Sequence, residues 1–197
     1  MPGGCYKVVA ALNELFLHTA LYWYKVRFAY QHSEAMMSKT KSLAVAKYML
    51  NKQRAAGDSV TPMQLIKLVY IAHGLMLGAY GRPLVDEPIE AWQYGPVIPD
   101  LYHATKTYGR SPIPLEAIGD PSDMPVAEDD AAFLTDVFNK YGHLDGIALS
   151  YITHKAGTPW TQVYRPGVMH IEIPDDLIVR HYRELAFARR QQATAST

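Results

Sequence analysis

A chain of 197 residues, 49% hydrophobic, with 19 basic and 19 acidic side chains, can bury one main core. Its formal net charge of zero argues against a general electrostatic nucleic-acid binder, which carries a basic excess, and leaves room only for a local patch. The single cysteine, Cys5, excludes an internal disulfide or a cysteine-rich zinc site and makes a cytoplasmic setting the simplest expectation.

Residues 8–24, VVAALNELFLHTALYWY, are largely apolar and lie between Lys7 and the pair Lys25 and Arg27. Asn13, Glu14 and His18 interrupt the roughly 20 apolar residues that a spanning helix needs, and Glu14 also breaks a signal-peptide centre. No membrane span is expected. Residues 1–37 read as an N-terminal extension, either an accessory helix or residues upstream of a native start at Met36 or Met37. Residues 38–190 read as a compact, mainly α domain with a central buried helix and a small β-hairpin, followed by a polar tail at 191–197.

In chain order, Leu43, Ala46, Tyr48, Met49 and Leu50 predict a helix that stops at Gly57. Thr61-Pro62-Met63-Gln64 then has capping-box spacing, with proline at the first helical position, where its missing N–H is harmless. That helix is expected to run to Tyr80 and stop at a left-handed Gly81. Leu65, Leu68, Val69, Ala72, Leu75, Met76 and Ala79 form one apolar stripe, and Ile66, Tyr70, His73 and Leu77 form another. A helix apolar on more than one face is central and buried. Gly74 and Gly78 weaken it, which points to close approach by a neighbouring element.

Pro83 and Pro88 end the helical pattern. Residues 84–94 predict two short strands joined around Asp86-Glu87, with Ile89, Ala91 and Gln93 facing one way and Glu90, Trp92 and Tyr94 the other. Pro99 opens a helix to Gly109 with Leu101, Tyr102, Thr105 and Tyr108 on one face. The proline-rich stretch 111–127 predicts a short strand at Leu115–Ile118. Glu128–Tyr141 predicts a helix that buries Leu134, Val137, Phe138 and Tyr141, its opening acids Glu128, Asp129 and Asp130 complementing the helix dipole. A short helix is expected over 145–155, a further start at Thr158-Pro159-Trp160, and a last helix from Pro174 with Asp175 and Asp176 in its first turn.

The search for chemistry is negative. Asp100 and His103 read as a solvated surface pair, and His73, within an apolar stripe, as a hydrogen-bonded core histidine. His143 and His154 lack the paired spacing of a metal site. Ser150, Thr153 and His154 have no nucleophile elbow around them, and a local hydrogen bond explains them equally well. GLMLGAYG lacks the Lys-Ser/Thr ending of a phosphate loop. Arg180, Arg183, Arg189 and Arg190 read as a solvated helix face, with no basic recognition helix for DNA. A metal-dependent hydrolase is therefore the weakest reading; no catalytic residue, metal or cofactor is assigned.

The stretch EAWQYGPVIPDLYHATKTYG, residues 90–109, stands apart. Gly95-Pro96 and Pro99 make a stiff junction from which Trp92, Tyr94 and Tyr102 project. Aromatics with a polar handle suit core packing, the favoured reading, and also protein-binding hot spots. Full burial of Trp92 would make Trp92→Ala cost about 3–5 kcal/mol.

These residues closely resemble the Panacea domain, the family of SocA-like antitoxins and of phage-associated proteins once named GepA. The matching pattern is Thr61, Pro62, Leu65, Lys67, Leu68 and Tyr70, then Gly81-Arg82-Pro83-Leu84. Ile89-Glu90-Ala91-Trp92 and Tyr94-Gly95-Pro96-Val97 follow, with Pro99, Leu101, Tyr102, Tyr108 and Gly109. A weaker block holds Tyr141-Gly142, Leu149, Thr153-His154 and Pro159-Trp160, so that the likeness runs from Ser42 to Tyr164. The resemblance implies a mainly α-helical domain and an antitoxin that neutralises a co-encoded toxin, with members pairing with many unrelated toxins. It also implies, for some members, a proteolytic adaptor that delivers the toxin to a ClpXP-type protease. It brings no catalytic residues. Trp92, Tyr94, Gly95, Pro96, Val97, Tyr102 and Trp160 are the residues expected to meet the partner.

Overall fold

The computed structural model describes residues 42–119 and 126–195, with 188–195 by backbone alone. The chain divides into two units between Ser38 and Lys39, and every described residue belongs to the second. The apolar run 8–24, the extension 1–37, Cys5 and the side chains of Arg189 and Arg190 lie outside the described residues.

The fold is mainly α, built around the helix the stripes predict. Helix α1 spans Ser42–Ala55 and α2 spans Pro62–Tyr80. After the hairpin β1 (Glu90–Trp92) and β2 (Gly95–Val97) come α3 (Pro99–Thr105), with a 3-10 turn Lys106–Tyr108, and a second 3-10 turn Leu115–Ala117. Helices α4 (Glu128–Tyr141), α5 (Gly146–Thr153), α6 (Pro159–Val163) and α7 (Asp175–Ala195) complete the described chain. The last helix thus continues by backbone into the stretch read as a tail.

Helix α2 is sheathed by α1, α3, α4, α5, α7 and β2. It starts with proline in its first turn and ends at Gly81 with φ 69°, whose N–H donates to the Leu77 carbonyl. It is long and apolar enough to cross a membrane, yet most of its surface is covered by protein. The glycines explain how. At Gly78 an added Cβ would lie 2.6 Å from the Tyr182 backbone carbon and 2.8 Å from the Arg183 nitrogen, and at Gly74 it would enter the Tyr182 ring. Helix α7 therefore packs directly on the α2 backbone, and Tyr182 meets Tyr70 edge-on at 6.1 Å.

Three expectations are corrected by long-range hydrogen bonds. The capping box does not form: the Thr61 side chain makes no cap bond. Instead Gln64 Nε2 donates to the carbonyls of Gly142, at 3.2 Å, and Leu144, at 2.9 Å, which leave the end of α4. No strand pair turns at Asp86-Glu87, because the Glu87 carboxylate accepts from Ser42 N, at 2.9 Å, and Ser42 Oγ, at 2.7 Å, and so caps α1. The hairpin sits later, with Glu90 opposite Val97 and Trp92 opposite Gly95, and turns at Gln93-Tyr94. Leu115–Ala117 is a 3-10 turn, not a strand: Lys47 Nζ, from α1, donates to the Leu115 carbonyl.

The outer edge of β1 is also covered. Ala91 N donates to the Ile171 carbonyl and Ile173 N to the Ile89 carbonyl, each at 2.7 Å. Pairing on both sides holds a three-residue strand that would be too short to persist alone.

Alanine at an exposed helical glycine stabilises by about 1 kcal/mol. Gly78→Ala is expected to do the reverse, losing about 1–3 kcal/mol as α7 is pushed off α2. Urea denaturation checks this; unchanged or raised stability would contradict the packing described.

Candidate functional site

The residues of the aromatic junction converge on the hairpin, but in two different roles. One set holds its backbone. Lys67 Nζ, from α2, donates to the Pro96 carbonyl at 2.9 Å. Trp160 Nε1, from α6, donates to the Trp92 carbonyl at 2.8 Å, and Ser150 Oγ, from α5, to the Tyr94 carbonyl at 3.3 Å. Gly95, with φ 103°, closes the turn; a Cβ there would sit 2.8 Å from His154 Cε1 and 2.9 Å from Lys67 Cε. His154 packs against Trp160 at 4.0 Å between ring centres, and Trp160 stacks on Tyr164 at 4.5 Å. Gly95, Pro96 and Trp160 are buried and act here as support.

The other set faces outward. Trp92, half-buried, meets Tyr102 edge-on at 4.7 Å, and its Nε1 donates to Glu90 Oε2 at 2.7 Å. Trp92, Tyr94, Val97 and Tyr102 line one groove of about 410 Å³ with Met63 and Ile66. Beyond Trp92 a second hollow of about 360 Å³ lies against Tyr164 and Gly167–His170. Tyr94 at the hairpin tip is 66% exposed.

Sequence reasoning missed the surface beside this groove. Ile147 and Tyr151, on α5, are 77% and 70% exposed. They share a side of the helix with Ser150, which reaches the hairpin tip. At the start of the same helix, a Cβ on Gly146 would lie 3.0 Å from Met63 Cγ. In a helix of eight residues, Ile147 and Tyr151 are indistinguishable by pattern from the buried Leu149. Lys106 and Gln93, which also line the groove, carried no signal of their own.

The remaining motif residues are structural. Leu65, Leu68, Tyr70 and Leu101 are core residues, Pro159 is buried, and Thr158 Oγ1 donates to the Thr153 carbonyl at 2.8 Å. Pro99 opens α3, and Gly109, with φ 56°, ends its 3-10 extension. Pro83 follows Gly81 where the chain leaves α2, and Tyr108 packs half-buried against the core.

The Ser150–His154 pair is local. His154 Nδ1 lies 2.6 Å from the Ser150 carbonyl and 3.4 Å from its hydroxyl. A carbonyl only accepts, so Nδ1 carries the hydrogen and is committed to the helix backbone rather than to activating Ser150. His73 is a buried core histidine whose Nδ1 accepts from Val85 N at 3.2 Å, and His103 contacts Lys106 at the surface. Among the described residues no three His, Cys, Asp or Glu side chains cluster as metal ligands would.

The electrostatic oddity is Lys67, 2% exposed, whose pKa burial lowers from the ordinary 10.5 to about 7. The neutral amine can still donate to the Pro96 carbonyl, so the hairpin contact survives deprotonation.

A family model described as the SocA-like antitoxin, Panacea domain, matches residues 65–161, the span that carries α2, the hairpin and its supports. The chain belongs to this family of antitoxins. It is 30% identical over 156 residues to "Antitoxin SocA" of Caulobacter vibrioides (strain NA1000 / CB15N), covering 71% of this chain and 81% of that protein. No solved structure matches the chain.

Half-burial lowers the expected loss for Trp92→Ala to about 1–3 kcal/mol, whereas Trp160→Ala, which removes a buried ring and the hairpin bond, loses about 3–5 kcal/mol. Denaturant unfolding of both variants should rank them in that order, and the reverse ranking would refute the division into support and surface.

Between pH 7 and 10.5 the unfolded chain binds the Lys67 proton and the folded chain releases it. Stability from this residue therefore rises with pH across that window, and the burial penalty is complete below it. Relative to Lys67→Met, the wild-type protein is expected to gain melting temperature from pH 7 to about pH 9. Parallel profiles would count against the assignment.

Proposed function

We propose that the protein is a cytoplasmic antitoxin that neutralises a co-encoded toxin by direct protein–protein binding, with the groove at Trp92, Tyr94, Val97 and Tyr102 as the contact surface. The observation that carries the reading is the 30% identity spread over 81% of Antitoxin SocA. The exposed Tyr94, Ile147 and Tyr151 support the choice of surface, because grouped exposed apolar side chains mark interaction sites and tyrosine is enriched in binding hot spots.

Binding by masking requires only a complementary surface and no chemical step. Gly95, Pro96 and Trp160, expected from the sequence to meet the toxin, act in this reading by fixing the hairpin that presents Trp92 and Tyr94. A pre-ordered hairpin loses less conformational entropy on docking than a mobile loop would.

The test is co-expression with the product of the neighbouring gene, reading both cell growth and the amount of that product. Growth is expected to be restored with the toxin still present at full level in a stable complex. Restored growth with rapid loss of the toxin would replace masking by delivery to a ClpXP-type protease. A harmless neighbour, or one that stays toxic, would remove the antitoxin reading.

A further inference from the structure

We propose that the groove between α2, the hairpin and α3 takes an extended apolar segment of the partner protein and pairs a carboxylate of that segment with Lys67 and Lys106. The proposal deepens the toxin-binding reading and rests on it for the identity of the partner, while the chemistry of the occupant follows from the groove itself.

Three features define that chemistry. The walls are largely aromatic and aliphatic, with Trp92, Tyr94, Tyr102, Met63, Ile66 and Val97 lining about 410 Å³. This volume holds a few side chains, not a folded domain. The apolar surface then continues outside, over Tyr94, Ile147 and Tyr151, so that a longer segment entering the groove would remain in contact along α5.

The third feature is charge. The groove is lined by Lys67 and Lys106 and by no acidic residue. Lys67 Nζ uses one donor on the Pro96 carbonyl, and an ammonium has three. A buried cation with donors left over is stabilised by a carboxylate entering beside it, and the same anion would favour the charged form that burial now disfavours. Lys106, exposed and 3.1 Å from His103 Nδ1, widens the positive edge. A nucleic-acid backbone would need a rim of several basic side chains, whereas the open surface beside this groove is Ile147 and Tyr151, with Lys155 Nζ 5.6 Å from the Tyr151 ring centre.

Carboxylate binding at Lys67 has a thermodynamic signature. The other titratable groups at this region are Lys106, Tyr94 and Tyr102 in the groove, His154 behind Gly95, His103 beside Lys106, and Glu90, whose carboxylate is taken by Trp92 Nε1. Lys67, whose pKa burial lowers to about 7, would take up protons near neutral pH as the anion arrives, and Lys67→Met would abolish that uptake.

The experiment selects displayed random peptides on the full chain and measures the best binder, as a synthetic peptide, by calorimetry in buffers of different ionisation enthalpy. The expected peptides combine aromatic or aliphatic residues with Asp or Glu. Affinity should fall at least about tenfold with Lys106→Glu or Ile147→Asp, both at exposed positions, and when the peptide's acid is replaced by its amide. Proton uptake should accompany binding to the wild-type chain. Enriched peptides without acids, affinity indifferent to both exposed variants, or binding without proton uptake would each overturn the proposal. Should Lys67→Met fail to fold, Lys106→Glu and the amide peptide still decide it.

The same exposed variants then enter the co-expression assay. Loss of protection with folding intact supports the groove, and full protection by both variants sinks the groove while leaving the antitoxin reading standing. Failure of the wild-type chain to protect removes the antitoxin reading and leaves the peptide result to stand for a different partner.

Discussion

The absence of side chains at Gly74 and Gly78 lets α7 lie on the backbone of α2, and the remainder of the domain follows from the burial this completes. A helix with most of its surface covered by protein cannot leave the polar groups on its covered faces to water. Its buried Gln64, Lys67 and His73 side chains each bond backbone from a different connection, and His73 Nε2 lies 3.6 Å from the Asp175 carboxylate. Gln64 takes the carbonyls between α4 and α5, Lys67 takes the hairpin, and His73 takes the N–H of Val85. The loops are positioned by the needs of the core helix as much as by their own turn residues.

The hairpin shows how that arrangement becomes a surface. Its carbonyls at Trp92, Tyr94 and Pro96 are each taken by a side chain from a separate helix, and its outer strand edge is paired by Ile171 and Ile173. Such a short two-stranded element has little stability of its own. Anchored from three helices, it presents Trp92 and Tyr94 in a fixed geometry beside α5. Most of the family motif is thus the scaffold of this presentation, while exposed Ile147 and Tyr151 lie outside the motif residues.

Much of the helical architecture was legible because its signals are local. Pro62, Pro99 and Pro159 mark helix starts, Gly81 and Gly57 mark stops, and the double stripe of α2 requires burial whatever surrounds it. The spacing of Leu134 and Val137 gives the inner face of α4 without reference to any partner. The failures share one cause. Gln64 and Glu87 have the residue types of a capping box and a turn, yet each spends its side chain on a group far away in the chain, Glu87 on Ser42 and Gln64 beyond Tyr141. Leu115–Ala117, expected as a strand, is a 3-10 turn whose Leu115 carbonyl is held by Lys47 from α1.

For the site the same boundary holds. The sequence alone marked residues 90–109 as an aromatic, proline-stiffened junction without catalytic equipment, and carried enough of the motif to assign the family. Which of those aromatics face inward was decided only by the tertiary structure: Trp160 and Trp92 are chemically alike, and their burial differs because one reaches across to a hairpin carbonyl and the other borders open grooves. Helix starts, stops and stripes are set by neighbours within a turn or two. Exposure depends on which distant backbone groups a side chain must satisfy, and no spacing along the chain records that.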